Sequence, residues 1–351
     1  MNQKLICNVL PALCAVACAI LATSSSQGAT LSSISGGFDV LVQEDAGFSN
    51  VHMHGTTAIG GDLTLSGSKS LFFMDKPIIP AGGEPPVGLG VGGTVTGSDG
   101  EILQGGKLLV GPLPVGQNLA INMPSSSNRL NYGSNSMEFR SNQTAAEVLT
   151  PPSLDIVAAF TQLGTLSTSL SQLPSTPDFT TLPTDFNNGN FTLNSGPGLD
   201  VMNITGTQLA KFNNLGFNAP SGPGPVQKLV INVDLSIYGG GAFVQNRNGN
   251  NVADYILWNF FGGSDLTIQN QFIGSILAPG IDFTHQVNDI YGSVYVNSFV
   301  NEGEVHVHPF DFNFPINTTP PITSVPEPGS IMALVGLLGS GCCFRRRRRL
   351  V

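Results

Sequence analysis

Apolar and polar residues alternate in short runs along most of the chain between residues 38 and 312. Residues 63–66 (Leu-Thr-Leu-Ser) follow a glycine pair, and residues 228–235 carry apolar side chains at every second position. A period of two is typical of β-strands, and the glycines between the runs are typical of turns. The pattern predicts a mainly β fold built from many short strands.

Two similar segments suggest how the strands are arranged. Residues 273–276 (Ile-Gly-Ser-Ile) and 291–294 (Tyr-Gly-Ser-Val) are 18 positions apart. That spacing suits one coil of a β-helix or solenoid, in which equivalent residues stack on one another. The alternative is that the two segments are strands of a β-sandwich.

One segment, residues 153–173, departs from the β pattern. Its apolar residues recur at intervals of three and four, which places them on one face of a helix. Asp155 favours a helix start and Pro174 a helix end. These apolar residues are Ile156, Phe160, Leu163, Leu166, Leu170 and Leu173. We expect one long helix that covers the side or end of the β-structure and protects an edge.

The first 28 residues have the order of a secretory signal. Lys4 precedes an apolar run from Val9 to Ala22, and small residues follow as far as Gly28. A basic start, an apolar core and a small-residue cleavage zone are the three parts of such a signal. We therefore assign residues 1–28 to a signal peptide, 30–314 to one β domain and 315–324 to a Pro/Thr linker.

The last residues, 325–351, form a second targeting segment. Its apolar part runs from Ile331 to Phe344. At about 1.5 Å per residue this run is shorter than a hydrocarbon core of about 30 Å. The arginines after it would stay on the cytoplasmic side. The flanking residues are Val325, Pro326, Glu327, Pro328, Arg345, Arg346, Arg347, Arg348 and Arg349. The tail thus predicts transient anchoring at a membrane.

This tail resembles the PEP-CTERM sorting signal of Gram-negative bacteria. The resemblance rests on Val-Pro-Glu-Pro at 325–328, the short apolar helix and the terminal arginines, in that order. It implies an exosortase-type processing enzyme as partner. It also implies a protein exported to the cell surface, the outer membrane or an exopolysaccharide matrix.

The middle of the chain resembles the choice-of-anchor A domain. The matching segments are residues 38–42, 57–63, 257–260, 274–279, 292–294 and 303–310. The resemblance implies a right-handed β-helix and an adhesive role on a surface anchor. It carries no catalytic residues to this chain.

Composition narrows the chemistry of the middle segment. All five cysteines lie in the two terminal segments, so the β domain has no disulfide. Six of the 14 Lys and Arg residues also lie there, whereas all but one of the 23 Asp and Glu residues lie between them. The domain is therefore strongly acidic, which disfavours nucleic acid as a partner because phosphates need basic contacts.

One cluster could bind a divalent metal, the only cofactor that the sequence suggests. Alternate residues of a strand share a face, so Glu302, Glu304, His306 and His308 would project together if 302–308 is a regular strand. Imidazole and carboxylate suit zinc or a similar metal. His52 and His54 form a second pair, but we expect a long solenoid to keep the first and last strands apart.

The sequence favours a binding module over an enzyme. The β domain has no cysteine nucleophile and no Gly-x-Ser-x-Gly motif. We interpret the chain as an exported surface protein that is adhesive or associated with exopolysaccharide. Two alternatives stay open: a polysaccharide-active enzyme on a β-helix, and an ice-binding-like surface protein.

Removal of residues 325–351 should divert the protein from the surface without unfolding the domain, because the proline-rich linker separates tail from domain. Cell fractionation would locate the truncated chain, and circular dichroism would check its fold against the full chain. Unchanged surface retention would contradict the sorting role.

Overall fold

The computed structural model describes residues 28–314, with gaps at 76–85, 112, 122–127, 223, 244–245 and 249. The signal peptide up to residue 27, the linker and the sorting tail lie outside the described residues. The described elements belong to one compact unit that ends at Asn317, so a fragment of residues 28–317 keeps all of them. Within the described ranges, no helix has the length and apolar character needed to cross a membrane.

Strands dominate the described chain, with a few helices between them. The helices are α1 Leu31–Ile34, α2 Ala145–Val148, α3 Ile156–Ser171 and α4 Gly206–Leu209, with 3₁₀ helices at Pro177–Phe179 and Asn250–Tyr255. The strands are β1 Val40–Val42, β2 Ala46–Ser49, β3 His52–Met53, β4 Thr57–Ile59, β5 Leu63–Phe72, β6 Val87–Val91, β7 Val95–Ile102, β8 Lys107–Val110, β9 Gln117–Ala120, β10 Asn128–Tyr132, β11 Asn135–Phe139, β12 Gly189–Thr192, β13 Leu199–Thr205, β14 Asn214–Asn218, β15 Lys228–Asp234, β16 Ala242–Phe243, β17 Asn246–Asn248, β18 Ile256–Phe261, β19 Asp265–Ile268, β20 Phe272–Ile273, β21 Ser275–His285, β22 Asp289–Tyr291, β23 Val294–Asn301 and β24 Glu304–His306.

Parallel pairing stacks most of these strands into a β-helix with three faces, whereas β12, β14 and β17 form a separate three-stranded parallel sheet. The helix-covered face consists, in spatial order, of β13, β15, β18, β21, β23, β1, β4, β6 and β8. The threonine face consists of β16, β19, β21, β23, β2, β5 and β7. The histidine face consists of β20, β22, β24, β3, β5, β7 and β11, and ends on the antiparallel strands β10 and β9. Long strands such as β5 and β21 turn a corner and serve two faces, with a register shift at the bend.

The β-helix predicted from the sequence is therefore confirmed, including its local period. Ile276 pairs with Val294, which is the offset of 18 residues that the two similar segments indicated. The side chains inside the coils form one continuous hydrophobic core that runs through both halves of the chain.

The order of the coils differs from the order of the sequence. The first coil lies in the middle of the stack, because β1 pairs with β4 on one side and with the late strand β23 on the other. Likewise β3 pairs with β24, the last strand. Our expectation that the first and last strands would lie apart was wrong, since the last described strand pairs with β3 of the first coil.

Helix α3 is the predicted long helix, and it explains how this order arises. Its first residue, Ile156, lies beside Gly60 next to β4, and Leu170 near its end lies beside Asn232 on β15. At about 1.5 Å per residue it covers about five strand spacings of about 4.8 Å. It carries the chain from one half of the stack to the far end of the other. It therefore covers a side of the β-helix, as we expected. It lies on a face, however, and does not protect a strand edge.

Burial under the helix explains why some strands do not alternate. In β1, Val40 and Val42 point into the core of the β-helix, whereas Leu41 points out and packs in the same outer cluster as Leu163 of the helix. A strand buried on both sides is a continuous apolar run. Strands of the threonine face keep the alternation because their outer side faces solvent.

An asparagine ladder joins the helix to the sheet. Asn203, Asn232 and Asn259 are in register on three adjacent strands. The amide of Asn259 donates to Oδ1 of Asn232, and that of Asn232 to Oδ1 of Asn203, each at 2.8 Å. All three amides donate to carbonyls near the end of the helix, those of Ser167, Leu170 and Leu173. The buried amides of Asn232 and Asn259 therefore have partners on both the helix and the neighbouring strand, and these bonds tie the helix to the sheet.

Leu163→Ala should lower the free energy of unfolding by about 2–5 kcal/mol, because the side chain is fully buried between helix and sheet. Urea unfolding of the 28–317 fragment would measure it. Val157→Ala on the same helix is the control, since Val157 is 70% exposed. A loss below about 1 kcal/mol for Leu163→Ala would contradict this packing.

Asn259→Ala should cost about 1–3 kcal/mol, because it leaves buried partners of the ladder without their hydrogen bonds. The exposed Asn190 offers a matched control, Asn190→Ala, measured in the same unfolding experiment. Equal stability of the two variants would mean that the ladder does not hold the helix.

Candidate functional site

The histidine cluster forms where the first and last coils meet. Glu304 and His306 lie on β24, with Val305 between them pointing into the core. His52 lies on β3 and His54 directly follows it, and the pairing sets His52 opposite Glu304. Alternation along both strands therefore turns the polar side chains of the cluster outward on the histidine face.

Glu304 is the centre of the cluster. Its Oε2 lies 3.4 Å from Nε2 of His54 and 3.4 Å from Nε2 of His306. Its Oε1 accepts a hydrogen bond of 2.8 Å from Nδ1 of His52. The rings of His54 and His306 are 4.2 Å apart at 35°. The three closest ligand atoms, from His54, Glu304 and His306, lie within 4.8 Å of one another.

Further side chains fix the two imidazoles. Nδ1 of His54 donates to Oδ1 of Asp75 at 2.9 Å. His306 stacks on Tyr291 at 4.7 Å and 12°, and the Tyr291 hydroxyl donates to Oδ2 of Asp289. That oxygen lies 3.7 Å from Nε2 of His306. Asp75 therefore holds the His54 ring through its other nitrogen, and Tyr291 holds the His306 ring by stacking on its face.

The electrostatics keep the carboxylate charged and one imidazole neutral. Burial acts to raise the pKa of Glu304, but the hydrogen bond from His52 and the other neighbouring imidazoles hold it below its ordinary value. Burial, followed by the nearby His54, lowers the pKa of His306, although Asp289 and Glu304 act in the opposite direction. A neutral imidazole beside a carboxylate is the form in which these groups bind metals.

The structure brings together only part of the set suggested by the sequence. Glu304 and His306 lie in the cluster, but Glu302 is exposed in the bend before the strand, which spans only Glu304–His306. His308 lies beyond the strand end, where its Nδ1 contacts Oδ1 of Asp254 at 2.9 Å. His54 joins instead. The His-x-His pair was visible in the sequence, but its partner strand was not.

The threonine face carries a second ordered set of polar groups. One outward row crosses the face in strand register, and a row of mainly acidic residues runs beside it. The first row is Ala242, Thr267, Thr284, Val300, Gly47, Thr64 and Thr96. The second row is Asp265, Asp282, Ser298, Asp45, Asp62 and Thr94. All of these side chains and Gly47 are exposed or partly exposed, so the rows form a polar surface.

Hydrogen bonds along the second row hold its carboxylates in line. Oδ1 of Asp45 accepts from the backbone N–H of Asp62 at 2.8 Å, and Oδ1 of Asp62 accepts from that of Thr94 at 2.6 Å. Oδ1 of Asp282 accepts from Ser298 at 2.8 Å. One carboxylate oxygen of Asp45 and one of Asp62 are therefore held in turns, and one of Asp282 is held in a contact between paired strands.

Two regions of the chain match known protein families. A PEP-CTERM protein-sorting motif matches residues 324–349, which marks an exported surface protein of the kind processed by an exosortase. The family described as "Putative Ice-binding-like adhesive domain" matches residues 31–307, most of the chain. The chain belongs to this adhesive-domain family. The adhesive domain and the sorting signal suggested by the sequence are thus both confirmed.

Solved structures with similarity to the chain include several ice-binding proteins. One from the Antarctic ascomycete Antarctomyces psychrotrophicus is 14% identical, with 80% of this chain and 98% of that chain covered and a TM-score of 0.28. One from an Arctic yeast is 12% identical, with 83% and 96% covered and a TM-score of 0.30. An ice-binding protein domain from Shewanella frigidimarina is 10% identical, with 81% and 96% covered and a TM-score of 0.25. No curated protein matches the chain.

Proposed function

We propose that the protein is an adhesin of the cell surface or its exopolysaccharide matrix, and that the threonine face binds the polysaccharide. The observation that carries this proposal is the outward row that stays in register across seven strands. Strands repeat every 4.8 Å or so, which gives a regular series of contacts along an extended polymer.

The chemistry of the face suits a polymer rich in hydroxyl groups. Threonine hydroxyls both donate and accept hydrogen bonds, and carboxylates accept them from sugar hydroxyls. Thr64 and Thr96 are exposed, and the acids Asp45 and Asp62 lie beside them. The acidic surface also disfavours binding of a strongly anionic polysaccharide, so a neutral one is the expected partner.

The other two faces are less suited to this role. Helix α3 and its outer hydrophobic cluster cover much of the helix-covered face. On the histidine face, ion pairs such as Lys69–Glu101 and Arg129–Glu138 already use the charged groups of several strands. The threonine face thus combines order, polarity and exposure.

The sorting motif supports a route to this location. An exosortase-type enzyme would recognise residues 324–349, while the apolar run and the arginines hold the chain at the membrane until cleavage. The outer membrane and the extracellular matrix are both destinations compatible with that route.

Ice binding is a second candidate, favoured by the same row and by the family description. Four of its seven positions are threonine, but Val300 and Gly47 interrupt it at the centre and acids lie beside it. Carboxylates bind liquid water strongly, which opposes adsorption to an ice lattice. Polysaccharide adhesion therefore fits the face better.

Glycan-array binding of the 28–317 fragment would test adhesion. Thr64→Tyr and Thr284→Tyr should each weaken binding by about tenfold or more, since a bulky side chain interrupts the flat row; a factor of ten is about 1.4 kcal/mol. Thr161→Tyr, on the exposed side of helix α3, is the control. Binding that is absent, or equal in all variants, would refute the proposal. Thermal hysteresis without glycan binding would favour the ice-binding alternative, and release of reducing sugar the enzymatic one.

A further inference from the structure

The histidine cluster has the arrangement of a metal centre. We propose that His54, Glu304 and His306 bind one Zn²⁺ ion, which ties the first coil of the β-helix to the last. The three residues come from β24 and from the end of β3, so such a site exists only because these two strands are paired.

The distances fit tetrahedral coordination. Zn²⁺ binds imidazole nitrogen and carboxylate oxygen at about 2.0–2.2 Å, which puts neighbouring ligand atoms of a tetrahedron about 3.3–3.6 Å apart. Oε2 of Glu304 lies 3.4 Å from both Nε2 atoms. These two contacts are long for hydrogen bonds but match two edges of a tetrahedron, and the ligand atoms of the two imidazoles lie within 4.8 Å of each other.

The unpaired nitrogen of His54 points to a ligand. Its Nε2 is buried and has no hydrogen-bond partner among the described residues. Its Nδ1 donates to Asp75, so Nε2, which lies 3.4 Å from Oε2 of Glu304, is the nitrogen available to a metal. Metal-binding histidines commonly donate their other nitrogen to a carboxylate in this way.

Glu304 likewise has one ligand atom held by a neighbour and the other free to bind the metal. Its Oε1 is held by His52, and its Oε2 is left for the metal. A set of two imidazoles and one carboxylate favours zinc or a similar transition metal over calcium, which takes six to eight oxygen ligands. The fourth position would go to water or to Asp289, whose Oδ2 lies 3.7 Å from Nε2 of His306.

The bound metal would act as a cross-link. His52 and Glu304, beside the site, are 252 positions apart in the chain, and the β domain has no cysteine for a disulfide. A ligand that binds only the folded chain stabilises it in proportion to the logarithm of its concentration. Zn²⁺ at about 100 times its Kd should therefore raise Tm by roughly 4–5 °C.

Calorimetric titration of the metal-free, untagged 28–317 fragment with ZnCl₂ tests the site. We expect one ion per chain, a higher Tm that EDTA reverses, and a tetrahedral Co²⁺ spectrum. His54→Ala, His306→Ala and Glu304→Gln should each weaken binding by more than about tenfold. His308→Ala and Glu302→Ala are matched controls and should bind as the unmodified chain does.

Three results would overturn the proposal. The first is that the unmodified fragment shows no saturable binding, and the second is that His54→Ala binds as the unmodified fragment does. The third is that His308→Ala loses as much binding as His54→Ala. Circular dichroism of every variant separates lost ligands from lost folding. Should a histidine-to-alanine variant not fold, His54→Asn and His306→Asn replace it, since both keep a polar side chain of moderate size.

Discussion

The parallel ladder on both sides of β23 is the constraint on which the rest of the structure depends. On one side β23 pairs with β21, which precedes it by one coil, and on the other with β1 and β2 at the start of the domain. Without this pairing the two halves would be separate stacks with open strand edges, which tend to pair with other chains. The ladder buries both edges and makes one continuous core.

Because of this pairing, the segment that connects the two halves has to span several strands of the stack. The first half of the chain starts in the middle of the stack and extends towards one end. The chain must then return past β1 and β23 to reach β13 at the other end. Helix α3 meets that demand while covering apolar residues such as Leu41 and Leu257 on the outer side of the sheet. The asparagine ladder then ties the end of the helix to the sheet, because its amides donate to helix carbonyls such as that of Leu170.

Sequence patterns predicted what is local and failed where distant segments meet. The strand period, the coil offset between Ile276 and Val294 and the amphipathic helix all follow from neighbouring residues. The order of the coils depends on pairing between segments at opposite ends of the domain, and no local pattern encodes that register. For this reason Glu304 and His306 could be selected from the sequence, whereas His54 could be added only once β3 and β24 were seen to pair.

The pairing of β23 with β1 and β2, here called the seam, also aligns the proposed binding surface. Thr64 and Thr96 come from the first half of the chain, and Thr267 and Thr284 from the second; they share one row only because β2 pairs with β23. A surface that is already aligned loses little conformational entropy when it binds an extended ligand. Any interaction that tightens the seam, including a metal held between β3 and β24, would therefore also favour the aligned row. The two candidate sites lie on different faces, yet both depend on the junction between the first and last coils.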